Sequence, residues 1–422
     1  MLKIGLIGLI FLSAHVEAAV PRKLYYTDVE QILLSKNKDI QIAKIQVEQQ
    51  EYALKSSYSG FLPTLTYDNF YSDKIDSTES TSRKIYNNSI TLSQNVFSGF
   101  QDYYKVKNSK LDLLQSNNNL TLEKLKQRAE LKMAFANVVL TQRLLKFSEK
   151  TINTRKDIRE LVSLRFTSGN ETQDSILFAE GQLDESTLDL DNSRRALQAA
   201  KRRLKFILGE DLQDDFEVVG SIPLIEIPTD PDFQKLAVES LEFKNAAINE
   251  RKSIEDLSSN RAKYLPTVDV SVTREGDKRR NFSRNDFNKI YATTYEVNVS
   301  FPIFEGFSTY HDVKVSELEQ EKNRINLTKV SEDYYNTLRE TYDRLTELKK
   351  TKEVYLKLLE AAKLRDMIHT SKYRLGIVSF EVWIDSQNDL INYEKNVIQI
   401  DYEIEANLSK WETLANARAQ GI

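Results

Sequence analysis

The chain is dominated by one long helical stretch that occurs twice, from about Asp102 to Arg165 and again from about Ser308 to Arg374. At about 1.5 Å per residue, a helix of roughly 65 residues is about 98 Å long, a rod that no ordinary globular core requires. The first copy carries Leu111, Leu114, Leu122, Leu125, Ala129, Ala136 and Leu140, largely at steps of three, four or seven. That is the spacing of a coiled-coil seam, interrupted at Asn118. The second copy carries Leu338, Tyr342, Leu345, Tyr355, Leu359 and Ala362. With 12 Gly and 7 Pro in 422 residues, 29% charged and 40% hydrophobic, the composition suits long helices with narrow apolar seams better than compact globules.

Composition also removes several function classes. The 59 Lys and Arg against 63 Asp and Glu give a formal net charge of −4, so nothing points to a nucleic-acid partner. A run such as Lys201-Arg202-Arg203 reads as a solvated helix face. Cysteine is absent, which excludes disulfides and thiolate chemistry. Of the three histidines, His15 lies in the leader described next, and His311 and His369 form no cluster for metal or triad chemistry. No nucleotide-binding, serine-hydrolase or zinc-protease motif is present. The chain is expected not to be an enzyme and to use no cofactor or metal.

Residues 1–18 combine Lys3, an apolar run from Ile4 to Leu12 and a small-residue end at Val16-Glu17-Ala18, the form of a secretory signal peptide with the mature chain starting near Ala19. The apolar run is too short to span a bilayer as a helix. Export of a cysteine-free chain points to the bacterial periplasm or outer membrane. Thr27-Asp28-Val29-Glu30 has capping-box spacing and opens a helix predicted to reach about Tyr58, where Gly60 and Pro63 stop it.

The hydrophobic period then changes from 3.6 to 2. Leu65, Tyr67 and Tyr71, and after them Ile90, Leu92 and Val96, alternate with Thr, Ser, Asp and Asn, predicting strands at about 64–72 and 87–97. An aromatic turn, Phe97-Ser98-Gly99-Phe100, leads into the first long helix. That helix ends at Arg165-Phe166-Thr167-Ser168-Gly169, and Asn170 or Thr172 can cap a return helix from about Gln173 to Leu208. The hairpin therefore spans about 102–208 within a first repeat of 19–208. Gly209, Gly220, Pro223 and Pro228 mark a connector at 209–230.

From Asp230-Pro231, read as an N-cap and first helical residue, the programme repeats over 231–422. A helix over about 232–261 leads to Leu265-Pro266-Thr267, which mirrors Leu62-Pro63-Thr64. Strands follow at about 266–274 and 291–302, then the turn Phe304-Glu305-Gly306-Phe307 and a second hairpin at about 308–416 with its tip at Lys372-Tyr373-Arg374-Leu375-Gly376. The offset is 203 residues at Leu62 and Leu265, and 207 both at Phe97 and Phe304 and at Gly169 and Gly376. One small loop-length change accounts for the difference, a strong internal-repeat signal.

Lengths constrain the shape. A return helix of about 36 residues rises roughly 54 Å, and the roughly 30-residue helix leading into the strands adds about 45 Å, together matching one long helix. The connector and both termini are expected halfway along the rod, as an equatorial belt. Four strands of about ten residues cannot close a barrel, and open edges are not viable in a membrane. Three copies would supply twelve strands, lipid-facing on the Val/Tyr/Leu side and water-facing on the Thr/Ser/Asp/Asn side.

Taken together, the duplicated Leu-Pro-Thr sites, the Phe-x-Gly-Phe turns and the tips Arg165-Phe166-x-x-Gly169 and Tyr373-Arg374-x-Gly376 resemble the outer membrane factor family, the TolC-like efflux and secretion channels. The resemblance covers essentially the whole mature chain. It implies an α+β membrane protein built from a duplicated helix–strand–strand–long helix–helix unit, trimeric, with a 12-stranded outer-membrane β-barrel continued by an α-helical barrel through the periplasm. It implies a passive exit duct of a tripartite pump or type I secretion system. Its partners would be outer-membrane lipid, a periplasmic adaptor and an inner-membrane transporter of RND, ABC or MFS type.

Carried onto this chain, the resemblance makes Arg165, Gly169, Thr172, Tyr373, Gly376 and Ser379 adaptor-docking candidates, with simple helix capping as the competing role of the glycines and hydroxyls. The family often places a pore carboxylate six residues after the first tip glycine, where this chain has Ser175; Asp174 precedes it. Val382 and Glu381 stand correspondingly in the second tip. The pore-constriction candidates are therefore Asp174, Glu381 and Arg374. A periplasmic adaptor or a soluble coiled-coil scaffold are the competing classes; an adaptor has one hairpin where this chain has two.

Overall fold

The computed structural model describes residues 22–76, 81–209, 216–220, 228–276 and 290–416; the predicted leader at 1–18 lies outside the described residues, as does much of the connector. In chain order the elements are β1 (Arg22–Leu24), α1 (Tyr26–Lys36), α2 (Lys38–Ser57), a 3₁₀ turn (Tyr58–Phe61), β2 (Thr64–Asp76) and β3 (Thr81–Phe97). Next come α3 (Gln101–Thr167), α4 (Gln173–Leu208), β4 (Phe216–Val218), α5 (Phe233–Glu239) and α6 (Leu241–Ala262). The chain finishes with β5 (Thr267–Gly276), β6 (Ile290–Ser300), α7 (Ser308–Arg374) and α8 (Phe380–Asn416). Helices α3 and α7 each have 67 residues, about 100 Å of rod.

Within each repeat the long helix is covered near the strands by α2 or α6 and toward its far end by α4 or α8. Between the repeats, α3 runs antiparallel to both α6 and α8. This second seam carries polar rungs along most of its length, with apolar contacts between Ile158, Val162, Phe380 and Ile384 near the tip. Its rungs are Lys107 to Glu255 at 3.1 Å, Gln115 to Asn249 at 3.0 Å, Asn118 to Asn245 at 2.9 Å, Lys132 to Glu412, Lys150 to Glu394 at 2.8 Å and Arg155 to Asn388 at 2.7 Å. Asn118, an interruption of the sequence pattern, is one of these rungs. Because α3 meets partners on several sides and changes them midway, its expected single apolar stripe dissolves. Leu114 is exposed and most of the other stripe residues are half-buried, while the fully buried positions gather at Leu131, Phe135 and Val138.

Those three residues lie near the middle of α3 and belong to the largest apolar cluster, with Leu24, Val29, Leu33, Leu204, Leu208, Phe216 and Val218. Strand β4, inside the connector, pairs in parallel with β1 through Arg22↔Phe216, Lys23↔Glu217 and Leu24↔Val218. Strands of three residues are too short to show a period, so neither was predicted. Halfway along α7 a second cluster joins Leu236, Ala237, Tyr334, Leu338, Leu345 and Trp411. Phe233, Tyr342 and Trp411 meet there at ring centroids of 5.6–6.3 Å. The beginning of the described chain, β4 and the end of α8 thus all pack at mid-rod.

Four helix starts differ from the expectation. The first helix begins at Tyr26 with Tyr25 as its N-cap and no side-chain cap bond, so the Thr27–Glu30 capping box does not form. In the second repeat the N-cap is Asp232, whose side chain accepts from Lys235 N at 3.0 Å, two residues beyond Asp230. The helices predicted as single pieces are each broken, at Asn37 and at Ser240, which are again 203 residues apart. The break at Asn37 is built: Oδ1 accepts from Ile40 N at 3.0 Å, and Nδ2 donates to Ile207 O at 2.8 Å and Gln127 Oε1 at 3.0 Å. Ser240 Oγ accepts from Phe243 N at 3.1 Å in the same role. Apolar periodicity continues across both joints, which hid them.

The sheet has order β2-β3-β5-β6 with all neighbours antiparallel. Strands β2 and β3 have 13 and 17 residues, longer than the roughly ten expected. Register aligns whole rows across the four strands: Leu65, Leu92, Val272 and Tyr295 form one, and Thr66, Thr91, Thr273 and Thr294 the next. Since side chains alternate faces along a strand, one face is apolar and the other is hydroxyl-rich, with Thr91 to Thr273 at 3.1 Å and Thr64 to Ser93 at 2.7 Å. The turns into the long helices place Phe100 and Phe307 in left-handed conformation, φ 64° in both. That costs roughly 1–2 kcal/mol for an L-residue. Edge-to-face contacts with Phe97 at 5.2 Å and Phe304 at 5.4 Å hold each ring in place.

Asn37→Ala removes a helix cap and two buried hydrogen bonds at once, an expected cost of about 2 kcal/mol or more. Thermal unfolding of the detergent-extracted protein should show a lower midpoint, while Asn323→Ala, half-buried and bonded only within α7, should leave it nearly unmoved. An unchanged midpoint for Asn37→Ala would exclude the joint as a structural element.

Candidate functional site at the helical tips

Both hairpins turn in the same way. Gly169 and Gly376 have φ of 76° and 73°, the left-handed stop that favours glycine. The next residue bonds back across the turn, Asn170 N to Arg165 O at 2.8 Å and Ile377 N to Lys372 O at 2.9 Å. Thr172 is the N-cap residue of α4, yet its hydroxyl meets Ser175 Oγ at 3.0 Å rather than a helix N–H. Ser379 Oγ does accept a helix N–H, that of Val382 at 3.5 Å. Gly169, Thr172, Gly376 and Ser379 are exposed and form the outer surface of the tip.

Arg165 and Tyr373 do something else: they turn inward and tie the two hairpins together. Tyr373 is only 1% exposed, so it contributes no surface in this conformation. Its ring stacks on Trp383 at 4.2 Å and 13°, and the Arg165 guanidinium lies 4.6 Å from the ring centroid. Arg165 Nη1 donates to Tyr373 O at 2.6 Å, and Tyr373 Oη donates to Glu171 Oε2 at 2.5 Å. The other Glu171 oxygen accepts from Ser175 Oγ at 3.0 Å. Burial, and secondly the Glu171 carboxylate, push the Tyr373 phenol above its ordinary range, so it remains a donor. Ile158, Val162, Ala179, Phe380 and Ile384 pack around this brace.

Glu171 and Trp383 are the tip residues that sequence reasoning missed. The chain has two tryptophans; both are buried and each anchors an aromatic cluster, a signal that scarcity alone could have given. Trp383 Nε1 donates to Thr370 Oγ1 at 2.9 Å, and beside it Gln387 Nε2 donates to Asp366.

The three constriction candidates, Asp174, Glu381 and Arg374, are all exposed, and they form no hydrogen bond or ion pair with one another within the chain. Hydrogen bonds from Thr172 and then from backbone N–H groups hold the Asp174 carboxyl below its ordinary pKa. Ser175, at the place where the family often has a carboxylate, is buried, so here the negative charge stands one residue earlier, on solvent. Among the described residues no three His, Cys, Asp or Glu side chains gather into a metal site, and no described helix is long and apolar enough to cross a membrane.

A four-stranded sheet with one apolar face, carried by two long helical hairpins, is the architecture of outer-membrane channel subunits. The fold matches CusC (TM-score 0.83, 13% identity, 92% of this chain and 91% of that one). It also matches the CmeC outer membrane channel of Campylobacter jejuni (0.81, 14%, 93% and 85%). The MtrE outer membrane channel of Neisseria gonorrhoeae, solved in its open state, is similar too (0.80, 14%, 92% and 88%). No curated protein matches the sequence. The chain belongs to the outer membrane efflux protein family, whose model matches residues 29–210 and 233–417. It is an outer-membrane protein extending into the periplasm, and its family consists of transport channels rather than enzymes.

Burial raises the Asp366 carboxyl above its ordinary pKa, the largest effect on it. A raised carboxylate pKa means that the ionised form is penalised in the fold at neutral pH and the penalty disappears as pH falls below the unfolded value. Asp366→Asn, which can still accept from Gln387, should therefore raise the thermal midpoint at pH 7. The gain should shrink on acidification toward pH 4. A gain that grows with acid would contradict this account.

Proposed function

We propose that three copies of the chain close into a trimeric exit duct, passively passing substrates delivered by an inner-membrane transporter through a periplasmic adaptor. One observation carries this reading: the sheet and the helical layer run out of partners at the same two edges. Strands β2 and β6 end the sheet. Large apolar side chains stand exposed on α7 (Val315, Leu318, Ile325) and on α2 and α4 (Ile42, Ile45, Phe206). A second and third copy satisfy both edges at once, giving twelve strands with the Leu65–Tyr295 row toward lipid and the threonine row toward water.

In this reading Gly169, Thr172, Gly376 and Ser379 present the adaptor-docking surface, while Arg165 and Tyr373 shape it from behind. Asp174, Glu381 and Arg374 line the narrow end of the pore. The transporter is of RND, ABC or MFS type, and the assembly serves efflux or type I secretion.

Heat-modifiable trimers that need detergent for extraction, and discrete conductance in planar bilayers, are the expected results; a monomeric, water-soluble mature protein would overturn the reading. Val272→Lys places a charge on the lipid side at a cost of about 2–4 kcal/mol near mid-membrane and should lower the yield of trimers. Thr273→Lys, one residue on and facing water, should spare them, and equal yields would reject the assignment of faces. Replacing Asp174 and Arg374 together should raise single-channel conductance, whereas an unchanged conductance counts against their place at the constriction.

A further inference from the structure

A cleft of about 320 Å³ opens between α3, α4 and α8. Its deepest charged residue, Arg155, lies 12 residues before the end of α3, about 18 Å from the tip. Arg155 is 7% exposed. One of its nitrogens, Nη2, donates to Asn388 Oδ1 at 2.7 Å, but Nε and Nη1 are buried with no hydrogen-bond partner. The carboxylate acting on it is that of Glu185, which stands exposed at the mouth and makes no ion pair with it. A buried guanidinium without a counter-anion is strongly disfavoured unless something supplies acceptors.

The fold itself does not require this arginine. At the 207-residue offset its counterpart in α7 is Ala362, buried at the same level of the second hairpin. A small apolar side chain therefore fills the equivalent position, and the cation in the first repeat is an addition to the duplicated plan.

The other buried cleft atom without a partner is an acceptor. Gln182 Oε1 is buried and has no partner. The two floor serines are already engaged, Ser148 with Ser193 at 2.9 Å and Ser186 with the Gln182 carbonyl at 2.8 Å. The buried groups left open are two N–H groups on a cation and one amide oxygen, beside the apolar edges of Phe147 and Ile391. The volume is that of a small-molecule site rather than of a single ion.

We propose that this cleft binds a small organic carboxylate bearing a hydroxyl group. A carboxylate oxygen accepts from Arg155 Nη1, one of its two free donors, and the hydroxyl donates to Gln182 Oε1. Glu185, Asp189 and Lys395 stand at the mouth with their charges in solvent, where screening weakens their effect on a ligand seated on the floor. The site is a feature of the hairpin and does not depend on the substrate that the duct carries.

Isothermal titration of the detergent-extracted full-length protein tests this, with lactate as probe, its neutral amide lactamide as control, and ionic strength held constant with sodium chloride. Lactate should bind saturably and lactamide should not. Arg155→Met, which keeps the stem and removes the charge at a position whose counterpart is apolar, should weaken lactate at least tenfold while trimers form at the normal yield. Gln182→Leu should reduce lactate binding and leave acetate binding unchanged. No saturable heat with lactate, equal binding of lactamide, or full affinity in Arg155→Met would each overturn the proposal.

Discussion

Unpaired backbone is the constraint on which the structure turns. Among the described residues no further strand pairs with the outer edges of β2 and β6, and in hydrocarbon each unpaired backbone group costs several kcal/mol. A four-stranded sheet of this kind cannot be a finished membrane element. The helical layer follows the sheet, since each strand pair continues into one long helix flanked by shorter ones. The edge of the sheet and the edge of the helices therefore coincide, and any association that closes one must close the other.

Inside the subunit the two kinds of helical seam differ in chemistry. Each repeat is held by apolar packing at mid-rod, where Leu131, Phe135, Leu204 and Leu208, or Leu338, Leu345 and Trp411, are buried. The repeats meet each other through amide and ion-pair rungs from Lys107 to Arg155. The solvated rungs, such as Lys150 to Glu394, are worth about 0–1 kcal/mol each, whereas Lys132, Glu255 and Arg155 are buried and losing a partner there is costly. The Arg165–Tyr373–Glu171–Trp383 brace sits where that polar ladder ends. It closes that seam at its free end, so moving one hairpin against the other requires breaking a stacked, buried pair as well as the ladder.

Much of this was legible in the sequence because it rests on periodicity and punctuation. The long helices and their return helices were predicted within two residues, since Gly169, Gly376 and the aromatic turns mark their ends. Strand faces followed from alternation alone. What escaped was whatever depends on a distant partner. Asn37 breaks a helix because Ile207 and Gln127 receive its amide, and nothing near position 37 announces them. β1 exists because β4 arrives beside it. At the tip, Tyr373 reads as surface in a polar, basic stretch, yet Trp383 and Glu171 from other segments bury it.

Duplication explains a last asymmetry. Gly99 and Gly306 occupy equivalent turns with φ of 61° each. A Cβ on Gly99 would lie 2.9 Å from the carbonyl oxygen of Ala262, at the end of α6, whereas one on Gly306 meets nothing within 4 Å. The first turn is seated against the second repeat, and the second turn stands at the open edge. The two repeats are thus built for the same contact, but only one of them finds it within the chain. In the proposed ring the empty place beside Gly306 is filled by the first repeat of the neighbouring copy, whose residue equivalent to Ala262, at the 203-residue offset, is Ser59. The contact between repeats inside the chain is then the pattern for the contact between chains, and a single packing solution repeated six times closes the wall.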